Sequence, residues 1–405
     1  MRCNQSVTVT DKAARSIRGG HPWVYEAEIL ETSGVPQNGS LVQVESKSGK
    51  WLGIGFYNSN SKIRVRIVTQ NPNDMVDYAF WLRRLEYAVS YRRVVMGNDF
   101  SNCRLIFGES DGFPGLTVDR FGSILVVQVL CLGMEQIKED ILGSLAAILR
   151  DSGEVIEAVY ERNDVKLREK EGMKQGKGFL ALPGMRTDLG GHVEIVENGV
   201  HYDVDYINGQ KTGFFLDQKY NRAAVARLAK GMRVLDCFTH TGAFGLNCAL
   251  AGAKDVVSVD VSELALEQAK KNAALTGIEN IRYVQSDVFE LLTQLAEGKR
   301  GQYDLVILDP PAFTKSSATV ASAVRGYKEI NLKAMRILPR GGYLATCSCS
   351  HFMTDERFRA MLADAAKDAQ VQLRQIEARQ QGPDHPILWN VPETDYLKFY
   401  IFQIV

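Results

Sequence analysis

VLDCFTHTGAFGLNCALAGAKDVVSVD, from Val234 to Asp260, decides the fold. An apolar run, RVLDCF, is followed by a turn of small residues, by a segment with helical character from about 242, and by a second apolar run, VVSV, that ends on Asp260. This is one strand–helix–strand repeat of an open parallel sheet. The repeat continues downstream. IRYVQS, DLVILD, GGYLATCS, residues 371–377 and YLKFYIFQIV read as strands, with helices from Ser262 to about Thr276, from Asp287, over about 322–337 and from Asp355. The expected class is α/β, with a doubly wound, Rossmann-like sheet. In such sheets ligands bind outside the carboxyl ends of the strands, so the residues that close each run carry the chemistry.

Asp236 closes the first run. Thr241, Gly242, Ala243 and Gly245 permit a tight turn and close ligand approach at the start of a helix. The spacing is not the G-x-G-x-x-G of dinucleotide enzymes, which disfavours a nicotinamide cofactor. Asp260 is placed to accept hydrogen bonds from ribose hydroxyls, Ser262 joins it at the next helix start, and Asp287 follows the third run as a candidate for positioning an adenine. Each acid taken alone reads as a helix cap. Three acids at three successive strand ends suit S-adenosyl-L-methionine, which needs no phosphate cradle. Upstream, NGQKTGFFLDQKYNR (Asn208–Arg222) reads either as a domain junction or as a flap over the cofactor, with Phe214 or Phe215 packing and Gln218 hydrogen-bonding.

Two further phrases bear on the reaction. In LDPPAF, Asp309 stands at a strand end on a turn stiffened by two prolines. It is a candidate for both the catalytic set and the cofactor site. The phrase departs from the Asn/Asp-Pro-Pro-Tyr of many exocyclic-amine methyltransferases, because Phe313 stands two residues beyond the second proline. TCSCS offers two thiols, Cys347 and Cys349, just past another strand end. Carbon 5 of cytosine is a poor nucleophile, and addition of a thiolate to carbon 6 makes it enamine-like, so a thiol here points to covalent catalysis. The two side chains share a face if the strand continues, so periodicity does not choose between them.

The rest of the chain sets bounds. At 405 residues, two or three domains are expected. A composition of 45% hydrophobic and 24% charged residues is that of a soluble globular protein. Apolar runs fall far short of the ~20 residues that cross a bilayer, and the N-terminus lacks a secretory core, so the expected location is cytoplasmic. Cysteines at 3, 103, 131, 237, 248, 347 and 349 are scattered, as for reduced thiols. The 48 basic and 48 acidic residues cancel, which argues against indiscriminate nucleic-acid binding. Residues 1–70 nevertheless hold an excess of about four positive charges.

Those residues read as a β-rich module (1–72) built on SLVQVES, KWLGIGFYN and SKIRVRIVT. In KIRVRIV, Ile63, Val65 and Ile67 share one face, Arg64 and Arg66 the other. The arginine face is either a solvated strand face or an RNA-binding one. Residues 73–185 read as a small α/β unit with a helix over Tyr78–Met96, a β hairpin after GESDGFPG and a helix over 135–150. A third domain, 186–405, opens on HVEIVENGVHYDVDY, where Asn198-Gly199 signals a hairpin turn.

The chain resembles the bacterial large-subunit ribosomal RNA cytosine-5 methyltransferases, which join an N-terminal PUA domain to a Rossmann methyltransferase. HPWVYEAEI (His21–Ile29), KWLGIGFYN, GESDGFPGLTVDRFG (Gly108–Gly122), KTGFFLDQ, CFTHTGAF, DPPAF, RGYKEIN (Arg325–Asn331), SCS (Ser348–Ser350) and DHP (Asp384–Pro386) carry the likeness, which covers nearly the whole chain. It implies a PUA module, a central domain that helps build the RNA cleft, a class I catalytic domain and methylation of 23S ribosomal RNA. It also implies one nucleophile in Ser-Cys-Ser, which falls on Cys349. Pro311-Ala312 replaces the Pro-Cys of other cytosine-5 enzymes, so no second cysteine is expected to assist product release. For the base that takes the carbon-5 proton, His351 and His385 are the candidates. The expected partner is large-subunit ribosomal RNA, with no membrane and with a homodimer as the assembly to be tested. Two other readings compete: a base-nitrogen methyltransferase using Asp309, and a non-catalytic RNA-binding ribosome assembly factor, against which the three strand-end acids argue.

Overall fold

The computed structural model describes residues 5–298, 300–314 and 316–405. Arg2 and Cys3 lie outside the described residues. Packing divides the chain into two units. The first runs up to Ile195 and adds Val204–Leu216 and Pro383–Thr394; the second comprises Val196–Asp203, Asp217–Gly382 and Asp395–Val405.

The first unit holds two sheets. The alternating runs of the N-terminal module become strands Leu41–Ser46, Trp51–Tyr57 and Ile63–Thr69, antiparallel neighbours in a six-stranded sheet. The helix Asp11–Arg18, capped by Thr10, places Ala13, Ala14 and Ile17 against Val7, Val9, Val42 and Val65. The expected helix Tyr78–Met96 forms, with Asp77 accepting from the Phe80 amide at 2.9 Å. The five-stranded sheet contains the expected hairpin, Leu116–Phe121 antiparallel to Ile124–Val129, and the helix over 135–150 begins slightly earlier, as Leu132–Asp151.

The arginine face of Ile63–Thr69 requires a correction. Arg66 is only 8% exposed. Its guanidinium lies 3.0 Å from Glu109 and 3.1 Å from Glu171, and 5.8 Å from the Trp23 ring centroid. Arg64 pairs with Glu26 and the Ser59 carbonyl. Strand alternation separated the arginines from Val65 and Ile67, which join the core of this module. Glu109 and Glu171, distant in sequence, then cover Arg66 while Glu26 pairs with Arg64, so neither charge is left as an open basic surface.

In the second unit the core sheet comprises β1 (Arg233–Cys237), β2 (Asp255–Asp260), β3 (Ile281–Gln285), β4 (Leu305–Leu308), β5 (Tyr343–Ser348), β6 (Leu373–Arg379) and β7 (Lys398–Ile404). Their order is 3-2-1-4-5-7-6, with β1 to β5 parallel and β7 antiparallel to both β5 and β6. The strand order reverses between β1 and β4, the switch point at which doubly wound sheets bind ligands. The helices are α1 (Lys219–Ala226), α2 (Ala243–Leu250), α3 (Glu263–Thr276), α4 (Val288–Glu297), α5 (Val320–Ile337) and α6 (Asp355–Ala369). Leu235, Val257, Val306 and Leu344 pack against residues of α4, α5 and α6. On the opposite face Val234, Val256, Ile307 and Ala345 pack against residues of α1 and α2. Such two-sided burial explains the near-continuous apolar strands. The Asn198-Gly199 hairpin also forms, both residues having positive φ (54° and 82°). Among the described residues no helix is long and apolar enough to cross a membrane.

Candidate active site

The turn after β1 is held from beneath by Asp236. This side chain is fully buried, and its Oδ2 accepts the Gly245 amide at 2.8 Å and the hydroxyls of Thr239 and Ser258. Burial pushes its carboxyl up to about 7, and the nearby Asp309 adds to the shift. Its Oδ1 is buried without a protein hydrogen bond among the described residues. Gly245 cannot be replaced cheaply: a Cβ there would meet Ser258 Oγ at 2.3 Å and Asp236 Oδ2 at 2.9 Å. Phe238 and His240, neither a glycine, adopt φ of 62° and 50°. That left-handed backbone is strained and typical of ligand-binding turns.

Asp260 ends β2 and braces the same turn. Its Oδ2 accepts from the His240 amide at 2.8 Å and its Oδ1 from Ser262 at 2.9 Å. A carboxylate oxygen has two lone pairs, so each retains one for a ligand. Ser262 caps α3 through the Ala265 amide, and Asp287 caps α4 through the amides of Phe289 and Glu290 at 2.8 and 3.1 Å. Cap and strand-end acid are therefore the same residue at Asp287. Thr241 and Gly242 lead into α2, and the Thr241 carbonyl accepts from Asn272 at 3.1 Å.

Beyond β4, Asp309 meets two partners. Gln218 Nε2 donates to its Oδ1 at 3.2 Å and Cys347 Sγ at 2.9 Å. The Gln218 amide is oriented by a relay: Arg379 Nε donates to Asn221 Oδ1 at 2.9 Å, and Asn221 Nδ2 donates to Gln218 Oε1 at 2.6 Å. Burial raises the Asp309 carboxyl to about 6, against the lowering effect of the Cys347 hydrogen bond.

The two cysteines after this point differ. Cys347 lies inside β5, wholly buried, and its thiol is pushed well above its ordinary range by burial and by Asp309. Cys349 lies past the strand end and is half-buried. Its turn is fixed on several sides. Ser348 Oγ donates to Tyr327 at 2.9 Å, Ser350 Oγ to the Thr314 carbonyl at 2.8 Å, and Lys398 Nζ to the Ser350 carbonyl at 2.7 Å. Phe313, one residue past the place of the usual tyrosine, packs 4.5 Å from Tyr327 and 5.7 Å from Phe289, ring centroid to centroid. Cys237 and Cys248 are fully buried core residues.

Strand ends β1, β2, β4 and β5 thus bring together Asp236, Thr241, Gly242, Asp260, Asp309, Cys347 and Cys349, with Gln218 beside Asp309. Phe215 belongs instead to the first unit, where Lys211 Nζ stands 4.7 Å from its ring centroid. His385 is also in the first unit, 2% exposed and hydrogen-bonded to Asp384 at 2.9 Å; His351 is exposed. Sequence reading missed Asn221, Arg379 and Lys398. Tyr327 stood inside RGYKEIN without a role.

Comparison with known proteins accords with this geometry. Residues 186–402 match the S-adenosylmethionine-dependent methyltransferase family, and residues 7–70 match the PUA-like domain family. The chain belongs to these S-adenosylmethionine-dependent methyltransferases. The enzyme is 41% identical over 397 residues to the ribosomal RNA large subunit methyltransferase I of Shewanella denitrificans, covering 96% of this chain and 97% of that protein. It is 40% identical to the protein of that name from Photobacterium profundum, over 97% and 98% of the two chains. A solved structure described as a SAM-dependent methyltransferase of Streptococcus mutans superposes with a TM-score of 0.81 at 19% identity, over 98% of this chain and 99% of that one. Another, described as a methyltransferase complexed with SAH, gives 0.82 at 19% identity, over the same shares. At that identity the two structures speak to the fold alone. The cofactor of this enzyme is S-adenosylmethionine. The residues at its strand ends fit such a ligand: Asp260 keeps spare lone pairs, and Asp236 keeps a buried oxygen without a hydrogen-bond partner among the described residues.

Proposed function

We propose that this methyltransferase modifies carbon 5 of a cytosine in large-subunit (23S) ribosomal RNA, with Cys349 as the nucleophile. The observation that carries this reading is the contrast between two thiols two residues apart. Cys347 is buried and donates to Asp309, whereas Cys349 stands half-open on a braced turn past the strand end. Full-length relatives named for the large ribosomal subunit RNA support the substrate.

When bound, S-adenosylmethionine supplies an electrophilic methyl group on a sulfonium. Asp236, Thr241, Gly242, Asp260, Ser262 and Asp287 are the residues that would hold it, with Gln218 and Asp309 facing the reacting end. The chain's own chemistry begins with the Cys349 thiolate. Its sulfur bonds to carbon 6, and the electron pair of the 5,6 double bond becomes available at carbon 5. After methyl transfer a water molecule takes the carbon-5 proton, the double bond re-forms and the thiolate departs. Asp309 holds the base through its amino group or ring nitrogen, and the Arg379–Asn221–Gln218 relay keeps that carboxylate in place.

The proposal extends to three domains (1–72 PUA-like, 73–185 central, 186–405 catalytic), to a cytoplasmic location and to a homodimer, the last tested by light scattering. The deciding experiment is RNA carrying 5-fluorocytosine at the target. Fluorine cannot leave as a proton does, so a covalent adduct should accumulate and map to Cys349. Cys349→Ala should abolish methylation while leaving S-adenosylmethionine binding intact, and Cys347→Ala should retain most activity. An adduct on Cys347 would move the nucleophile. Absence of any adduct with an active Cys349→Ala would turn the reading to nitrogen methylation.

A further inference from the structure

β7 runs antiparallel beside β5, and the register sets Lys398 opposite Ser348, the residue before Cys349. A lysine at the start of an internal strand is unusual, and this one is 6% exposed. Its ammonium donates to the Ser350 carbonyl at 2.7 Å and to the Tyr396 carbonyl at 2.8 Å. Two acceptors among the described residues leave one of its three N–H donors uncommitted. A buried ammonium without a carboxylate in hydrogen-bond contact is costly. Neutral side chains such as methionine would fill the space without that cost.

We propose that Lys398 is a positioning residue for Cys349, bracing the Ser348–Ser350 turn and favouring the thiolate over the thiol by its charge. The proposal rests on the reading of Cys349 as the nucleophile. Neutral clamping alone would not need an ammonium: the hydroxyls of Tyr327 and Ser350 already tie the turn to α5 and to the Thr314 carbonyl. What those groups lack is positive charge.

The electrostatics agree. Burial depresses the Lys398 ammonium to about 8, while Asp395, Cys349, Asp355 and Cys347 act to raise it, in that order. A thiolate that stabilises the ammonium is stabilised by it to the same extent. The other described groups that act on Lys398 are acids or thiols. Tyr327, which feels both cysteines, is pushed upward mainly by burial and is neutral near pH 7. Cys347 is a thiol held against Asp309. Asp355 at the start of α6 and Asp395 ahead of β7 are acids and oppose a thiolate. His351 is felt at Asp395. Among the described residues, Lys398 is thus a cation whose field reaches Cys349.

The test reads the thiol without turnover. Full-length enzyme free of RNA is alkylated with iodoacetamide across a pH series, and Cys349 labelling is followed by peptide mass mapping. In Lys398→Gln, which keeps a donor for the Ser350 carbonyl, the labelling profile should move up by about one pH unit, a roughly tenfold slower rate below the midpoint. Lys398→Arg should restore the wild-type profile. A wild-type profile in folded Lys398→Gln overturns the proposal. Should that variant fail to fold, Lys398→Arg decides it, since a charge-preserving change that shifts the profile by a full unit also overturns it. Trapping on 5-fluorocytosine RNA, run alongside, separates the two claims. An adduct on another residue defeats the nucleophile reading, while the alkylation profile still measures what Lys398 does to Cys349.

Discussion

Asp309→Asn should make the protein more stable and the enzyme inactive. The carboxyl group is raised from 3.8 to about 6, chiefly by burial. That is about two pKa units, and at 1.36 kcal/mol per unit about 3 kcal/mol. The sign follows from proton binding. The folded protein holds this proton more tightly than the unfolded chain, so the favourable contribution is fully present below the unfolded value. It is lost as pH rises through about 6, and near pH 7.5 the folded state carries the whole cost of an ionised, poorly hydrated carboxylate. Asparagine has no such cost, and its carbonyl oxygen can still accept from Cys347 Sγ and Gln218 Nε2. Some solvent contact at Asp309 reduces the figure, so about 1–3 kcal/mol is expected, or several degrees in melting temperature at about 3 °C per kcal/mol. Thermal unfolding of both proteins between about pH 5 and pH 7.5 is the assay. The stability gap should vanish below about pH 3.8, reach about half its full size at pH 5 and be complete near pH 7.5, while methylation is lost at every pH. A gap that does not change with pH, or a variant no more stable than wild type at pH 7.5, would refute the argument.

Asp260→Ala should weaken S-adenosylmethionine binding by about 1.5–3 kcal/mol, the range for a charge-assisted hydrogen bond; unchanged affinity by calorimetry would remove the ribose role. Gly245→Ala should reduce cofactor affinity at least tenfold, because the new methyl group must displace Ser258 or Asp236 from beneath the turn, and equal titration curves would count against it. Arg66→Met leaves Glu109 and Glu171 facing each other without their shared cation, so it should destabilise the first unit by about 3–5 kcal/mol. The salt dependence of RNA binding should stay the same in that variant, and a flatter log–log slope would return Arg66 to the RNA interface.

The strand ends were legible in the sequence because each apolar run stops at a residue that changes the chemistry: Asp236, Asp260, Asp309, Cys349. Asn198-Gly199 was legible for a local reason, two residues that tolerate positive φ. Contacts made across long separations were not. Nothing near KIRVRIV announces Glu109 and Glu171, so an arginine pair that is largely buried in salt bridges reads as a basic surface. The strands Ser6–Val9 and Ile29–Thr32 are too short to display a period. The same limit hid Lys398, which lies in the apolar stretch YLKFYIFQIV and acquires meaning only when β7 is known to run beside β5. It also left Cys347 and Cys349 equivalent, since their difference depends on where β5 ends and on what Asp309 accepts.

The placement of β7 between β5 and β6 has a consequence for biogenesis. β5 emerges from the ribosome well before β7, and until Lys398–Ile404 has been made its free edge has no partner on that side. An unpaired edge strand invites wrong pairings. Throughout that interval the thiol also lacks its ammonium neighbour. Chains cut short ahead of β7 should therefore aggregate rather than accumulate as partly active fragments, and the reactive sulfur should be switched on only as the sheet closes.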